Sequence, residues 1–423
     1  MLLIARFPVS TCSRPRAGAV LGRDLTGIPD MSSKARQPRM LLLSEGDAES
    51  WDSWSGTSRS VLTGLRQLGH DVISGDVDIY GVRRPLIGLT QFSPNRQRWW
   101  VKYHLGRIPF EVRSHNASRI LQKLTGRYDG ILQFGATFLP NLPRSIPSFL
   151  YCDGNIALSS HARPSGQSEA CYLTDREIYG VKERETRIYR AASHIFTISE
   201  RLRESFIDDF GIESNKVTTV YAGANLPDVH FHANSHDSFP GPPTILFVGR
   251  NFERKGGDVL LSAFRRVREE VPEARLLLLG PEGLRIGEKN VTCLGLIDKD
   301  SEGGAEKIAN IYRSAHVFCM PTRYEGLSIS FLEAMNFGLP CVSTYNDWAR
   351  PEMIVPGDTG LVVPRDDDAG LAQALVELLS DPDRARGMGE RGKVRARSVF
   401  TWKRVTELMS TEITNHFRSE AQH

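Results

Sequence analysis

Met40-Leu-Leu-Leu-Ser44, then Ser60-Val-Leu-Thr-Gly-Leu-Arg-Gln-Leu-Gly69, then His70-Asp-Val-Ile-Ser-Gly-Asp76, reads as strand, helix and strand. The outer pieces are short apolar runs. The middle piece spaces its apolar residues at helical period and closes on Gly69, a residue that ends helices because it tolerates a left-handed backbone. Two strands joined through a helix are the repeating unit of a parallel sheet. The alternation returns in GILQFG (130–135), SFLYCD (148–153), HIFTIS (194–199) and KVTTVYAG (216–223), so residues 40–226 read as one doubly wound α/β domain.

Residues 227–243 mix Pro, Asn, Ser and His without a period and read as a linker. A second alternation starts at Thr244-Ile-Leu-Phe-Val-Gly249 and runs through ARLLLLG (274–280), VTCLG (291–295), HVFCMP (316–321), CVST (341–344) and GLVVP (360–364), which gives a second α/β domain over 244–399. Residues 400–423 read as a closing helix. Two such domains in series place a large ligand site in the crevice between them, at the carboxyl ends of the strands.

The 423 residues are 40% hydrophobic with 37 glycines, the composition of an ordinary globular protein. Of the net charge of +3, residues 1–40 hold seven Lys/Arg against Asp24 and Asp30, so the body of the chain is slightly acidic. A nucleic-acid binder carries its basic excess on the folded body, and no nucleic-acid partner is expected. Residues 1–39 lack sustained periodicity and read as a disordered extension, with Met31 or Met40 as alternative starts. Cys12, Cys152, Cys171, Cys293, Cys319 and Cys341 show no ligand spacing and read as free thiols. No apolar run approaches the roughly 18 residues of a membrane span, and a cytoplasmic protein is expected.

The densest chemistry lies in the second domain. Gly249-Arg250 ends a strand, and Lys255-Gly256-Gly257 opens the next helix. Cations, glycines and a helix N-terminus together form an anion trap, against the plainer reading of a solvated basic turn. The second cluster is Tyr324-Glu325-Gly326-Leu327-Ser328-Ile-Ser-Phe-Leu-Glu333-Ala-Met-Asn-Phe-Gly338. Its helix is apolar on most sides yet carries Glu333, a carboxylate that requires a partner where it is buried. The N–H groups of Gly326, Leu327 and Ser328 lie where a phosphate or sugar hydroxyl can be received.

Gly249-Arg250 with Lys255-Gly256, the E-x7-E pair Glu325 and Glu333, and PEMIVPGDTGLVVP (351–364) together resemble glycosyltransferase family 4, retaining enzymes of the GT-B fold. The resemblance extends to HIFTISERLRESF and VYAGAN and covers most of residues 40–405, more strongly after 195. It implies two Rossmann-like domains facing a central cleft and transfer of a hexose from a UDP- or GDP-linked sugar to an acceptor hydroxyl. It also implies front-face retention, with the leaving phosphate taking the acceptor's proton, and neither metal nor cofactor. By the same resemblance Arg250 and Lys255 bind the diphosphate, Glu325 contacts the hexose and Glu333 the ribose. A fully helical step between the two glutamates would span about 12 Å.

The first domain is expected to carry the acceptor, which is a glycan, a lipid-linked sugar or a small molecule. Its loop Trp54-Ser55-Gly56-Thr57-Ser58 stands where the family often has a Gly-Gly turn facing the diphosphate, with one glycine here. Asp153 ends a strand where many members have His; it is a candidate catalytic contact or a turn residue, with His161 as a weaker candidate. Asn225 stands where Asp is common, and Trp402 reads as packing. Residues 96–107, RQRWWVKYHLGR, are basic and aromatic without an acid. They read as a peripheral contact with the inner face of a membrane, a solvated helix face or a cleft lining.

His230, His232 and His236 lie in the linker, and Asp76/Asp78, Asp298/Asp300 and Asp381/Asp383 are scattered D-x-D strings, so neither set reads as a metal site. Gly387-Met-Gly389-Glu-Arg-Gly392 follows no strand and is no dinucleotide fingerprint. A sugar-nucleotide epimerase of the same fold and a non-catalytic sugar-nucleotide-binding protein are the alternatives.

Overall fold

The computed structural model describes residues 37–143, 145–232, 241–345 and 352–420. The first lobe is a six-stranded parallel sheet of β1 (Met40–Ser44), β2 (Val72–Asp76), β3 (Gly130–Phe134), β4 (Ser148–Cys152), β5 (His194–Thr197) and β6 (Val217–Thr219), in the order β2-β1-β3-β4-β5-β6. The second has β7 (Thr244–Val248), β8 (Arg275–Leu279), β9 (Val291–Gly295), β10 (Val317–Cys319), β11 (Cys341–Thr344) and β12 (Gly360–Val363), in the order β12-β11-β10-β7-β8-β9. β1, β3, β10 and β11 are buried along their whole length. Helices covering both faces of a parallel sheet leave its central strands no solvated side, which is why these runs are continuously apolar and not alternating.

Each sheet has one place where the strand order changes direction, between β1 and β3 in the first lobe and between β7 and β10 in the second. The loops leaving those strands diverge and open a crevice, the position at which doubly wound sheets bind ligands. The sequence motifs fall on these loops: Trp54–Thr57 follows β1, Gly249–Gly257 follows β7, and Tyr324–Ser328 follows β10.

The helix Pro382–Val399 belongs to the second lobe, and the helix Trp402–Glu420 crosses to the first. There His70 Nε2 bonds Ser410 Oγ at 2.7 Å, and Thr406 lies so close to Gly64 that a Cβ would stand 2.6 Å from it. The boundary expected after residue 39 falls too late. Arg39 pairs with Asp129 at 2.6 Å, and the Pro38 carbonyl and Gln37 side chain bond His70 and Thr414, so residues 37–39 join the fold. The expected extension up to residue 36 lies outside the described residues. Cys152, Cys171, Cys293, Cys319 and Cys341 are free thiols, Cys12 lies outside the described residues, and no described helix is long and apolar enough to cross a membrane.

Candidate active site

β7 delivers Gly249 and Arg250 to the crevice, and the turn that follows folds back over its own start. Gly249 is required there: a Cβ would stand 2.2 Å from Lys255 Cδ, so only a bare backbone lets the lysine lie across the strand end. Lys255 Nζ reaches Glu325 Oε2 at 3.0 Å, and Arg254 Nη1 reaches the same oxygen at 3.2 Å while donating to the Tyr324 carbonyl at 2.6 Å. Burial opposes ionisation of Glu325, but the Lys255 and Arg254 charges outweigh it and hold the carboxyl down at about 2. Two cations against one anion leave a net positive site. Arg250 stands apart, with its side chain 71% exposed and Nη2 3.9 Å from Asp52 of the first lobe.

The helix after β10 begins at Ile329, with Ser328 as its N-cap. Glu325 therefore lies in the loop before it, and the single helical step between Glu325 and Glu333 is corrected: only its second half is helix. Among the described residues, the N–H groups of Gly326, Leu327 and Ser328 have no protein acceptor. Glu333 is almost fully buried, and both of its oxygens are engaged, Oε1 by Lys299 Nζ at 2.8 Å and Oε2 by the Tyr312 hydroxyl at 2.9 Å. The partner demanded of a buried carboxylate is present, although nothing at Lys299 signals it in the sequence. Arg254 had a signal, as the first of two adjacent cations, and the sequence reading passed over it.

Across the crevice the first lobe presents Asp153, at the end of β4. Its carbonyl lies against Gly326, where an added Cβ would stand 3.4 Å away. Surrounding protein strips water from the Asp153 carboxyl, and Glu169 and Glu325 repel its charge, so its pKa is raised to about 6 even though its own N–H stabilises the anion. Asp153 is nonetheless exposed to solvent, which screens its charge and discounts that rise. The Tyr324 hydroxyl bonds Glu169 and Ser159 from the opposite lobe. Beneath Asp153, Glu185 accepts the Ile156 N–H at 3.0 Å, and burial pushes its carboxyl up to about 8.

Gly56 caps the helix Thr57–Gln67 in the left-handed conformation, and Thr57 and Ser58 are buried at its start. His161 is drawn to Asp209 at 2.9 Å, outside the cluster formed by Glu325 and Asp153. Trp402 donates its indole N–H to Asn225 Oδ1 at 2.8 Å and packs at the junction of the lobes. His230 pairs with Glu306 at 2.7 Å, and His236 and the His232 side chain lie outside the described residues. Asp76 accepts the Gly46 N–H and the Tyr80 hydroxyl, and Asp300 stands 3.7 Å from Arg59.

Residues 96–105 form a helix, of which Arg98 and Trp99 are bonded inside the lobe. Arg98 pairs with Glu177 at 2.9 Å, Trp99 donates to the Gly88 carbonyl, and Val101 is buried. Between residues 80 and 108 the large apolar side chains left in solvent are Trp100 together with Tyr80, Val82, Leu86, Leu89, Phe92 and Ile108, most of them on or beside the helix Arg83–Thr90.

Two doubly wound parallel sheets, each opening its switch point onto a shared crevice, define the GT-B fold. In solved structures it is shared with sucrose-phosphate synthase of Thermosynechococcus elongatus (TM-score 0.66, 19% identity, 90% of this chain and 100% of that one). It is shared also with HepE of Anabaena, solved with UDP and glucose (TM-score 0.58, 14% identity, 89% of this chain and 99% of that one). Both are likenesses of fold. Residues 242–381, the core of the second lobe, match the family model of glycosyl transferases group 1. A GDP-mannose-dependent monoacylated alpha-(1-6)-phosphatidylinositol monomannoside mannosyltransferase of Corynebacterium glutamicum is 33% identical over 193 residues, 42% of this chain and 48% of that protein. The MMP alpha-(1->4)-mannosyltransferase of Mycolicibacterium hassiacum is 30% identical over 235 residues, 54% of this chain and 56% of its own length. The chain thus spans about half the length of these curated relatives, which are named as glycosyltransferases.

Proposed function

We propose that the protein is a retaining glycosyltransferase that moves a hexose from a nucleotide-diphosphate sugar to an acceptor hydroxyl. The observation that carries this reading is the Lys255–Glu325–Arg254 cluster, net positive and set beside three unpaired N–H groups at the switch point of a GT-B fold. When the bond from the anomeric carbon to phosphate breaks, its electron pair and negative charge pass to the nucleotide. Lys255, Arg254 and the exposed Arg250 stabilise that charge as it grows, which lowers the transition state more than the ground state. The acceptor oxygen forms the new bond on the face the phosphate leaves, and its proton passes to the departing phosphate oxygen. Glu325, ionised throughout the neutral range, accepts hydrogen bonds from the hexose hydroxyls. Asp153 faces it from the acceptor side and holds a donor or acceptor hydroxyl, while Glu333 takes a ribose hydroxyl on its remaining lone pairs. Gly56 and Thr57 close the site from the first lobe over the diphosphate.

GDP-mannose is the first donor to test, because the relatives at 30% identity and above include mannosyltransferases named as GDP-mannose-dependent. UDP-glucose is the second. The exposed apolar side chains from Tyr80 to Ile108, on a segment with six Lys/Arg and no acid, support an acceptor met at an anionic membrane surface on the cytoplasmic side. Incubation of purified protein with GDP-mannose or UDP-glucose and candidate acceptors, with the product's anomeric configuration read by NMR, tests the reading. Acceptor-dependent release of nucleotide with an α-linked product is expected. Interconversion of the sugar nucleotide without an acceptor, or an inverted product, overturns it.

A further inference from the structure

Between β1 and the helix Thr57–Gln67 the backbone takes three successive left-handed steps, Trp54 at φ 52°, Ser55 at φ 55° and Gly56 at φ 88°. Only the third residue is a glycine. In the other two the Cβ crowds the backbone, so the turn persists only where its surroundings hold it.

Asn225 supplies that hold. It is fully buried at the exit from the first lobe, and its Nδ2 donates to the Ser55 carbonyl at 2.5 Å. Its Oδ1 accepts the Trp402 indole N–H at 2.8 Å and the Ser60 hydroxyl at 3.2 Å, and its backbone carbonyl accepts Lys299 Nζ at 3.1 Å. The same Lys299 nitrogen is paired with Glu333. The strained turn and the crossing helix therefore meet at one side chain, and the same residue's backbone carbonyl reaches the buried Glu333 of the second lobe through Lys299. An amide fits this point and a carboxylate does not, because one side of the group must donate to the Ser55 carbonyl and the other must accept the Trp402 indole N–H. The turn itself faces the second lobe, since Asp52 and Arg59 on either side of it reach Arg250 and Asp300 at 3.9 and 3.7 Å.

We propose that Asn225 is a positioning residue for the donor site, clamping the Trp54–Gly56 turn in its left-handed form so that the start of the helix Thr57–Gln67 stays directed at the donor's diphosphate. The proposal rests on the donor site described above. It goes beyond that site in assigning its shape to a residue that does not touch the ligand, one that holds Ser55, the second left-handed residue, through its backbone carbonyl.

The test compares wild type with N225A, N225D and the double variant N225A/S55G. Each is titrated with GDP and with UDP, and each is labelled with 15N-tryptophan so that the Trp54 amide and the Trp402 indole are read by NMR. Expected are at least a tenfold loss of nucleotide affinity in both single variants and a broadened Trp54 amide. A recovery of at least threefold in the double variant is also expected, because glycine adopts the left-handed form without a clamp. N225D, close in size to the native residue, carries the test alone if N225A does not fold. Full affinity with an unchanged Trp54 amide in N225D overturns the proposal. So does a loss that S55G fails to relieve, which marks Asn225 as packing only. If neither nucleotide binds wild type, the donor site is what fails, and the Trp54 amide by itself decides the clamp: broadening in N225D upholds it, no change overturns it.

Discussion

The two walls of the crevice treat their carboxylates in opposite ways. On the second lobe Glu325 is flanked by Lys255 and Arg254 and is held down at about 2. On the first lobe no cation contacts Asp153 or Glu185 among the described residues: Asp153, exposed to the crevice, is raised towards about 6 by the surrounding protein and by Glu169 and Glu325, less so for its exposure, and Glu185 beneath it is raised by burial to about 8. The difference teaches a division of labour. Under the proposed function the cation-saturated wall meets the charge of the diphosphate and Asp153 on the facing wall holds a hydroxyl, while Glu185 lies beneath it, bonded to the Ile156 N–H.

The comparison breaks most sharply at Glu325. Glu325→Gln removes the anion and leaves both cations, so transfer is expected to fall by about two to three orders of magnitude, as for loss of one preorganised electrostatic contact. Nucleotide affinity should stay within a few fold in the same titration, and a variant that turns over like wild type removes Glu325 from the site. On the opposite wall, Asp153→Asn should slow transfer by about tenfold to a hundredfold, the scale of one hydrogen bond to a charged group. It should also flatten the acid limb of the rate profile near pH 6; an acid limb that survives unchanged in the variant assigns that limb to another group.

Leu86→Asp with Leu89→Asp should reduce cosedimentation with phosphatidylglycerol vesicles by about tenfold without changing nucleotide affinity, and equal binding by wild type and variant excludes that face. The smallest effect concerns stability. Glu185 has its folded pKa raised above its unfolded value, so the folded state holds the extra proton between about pH 4.5 and about pH 8. Its contribution is therefore complete at the acid end of that window and is lost as pH rises through the folded pKa. Glu185→Gln should flatten the decline in melting temperature from pH 5 to pH 9, by a few degrees at most, and an unaltered slope would show that Glu185 titrates like an exposed acid.

The fold was legible because parallel strands buried on both faces advertise themselves as continuous apolar runs; β1, β7 and β10 stand where MLLLS, TILFVG and HVFCMP lie. Arg250, Lys255 and Glu325 were legible because they cluster on two short loops, and Glu333 because a carboxylate interrupts an apolar helix. What stayed hidden depends on contacts between distant segments. Lys299, the middle residue of the Asp298/Asp300 string, neutralises Glu333, and Asn225 meets Ser55 across 170 positions. For the basic-aromatic stretch 96–107, composition does not tell that Arg98 faces Glu177 while most of the exposed apolar side chains of the segment lie one helix earlier.

The central claim is that the second-lobe wall binds a nucleotide diphosphate through Lys255, and calorimetric titration of wild type and Lys255→Ala with GDP and UDP in the presence of EDTA tests it most directly. The account predicts that one of the two nucleotides binds wild type without added metal and binds the variant at least tenfold more weakly. Equal affinity in the two proteins, or no binding of either nucleotide to wild type, would contradict it.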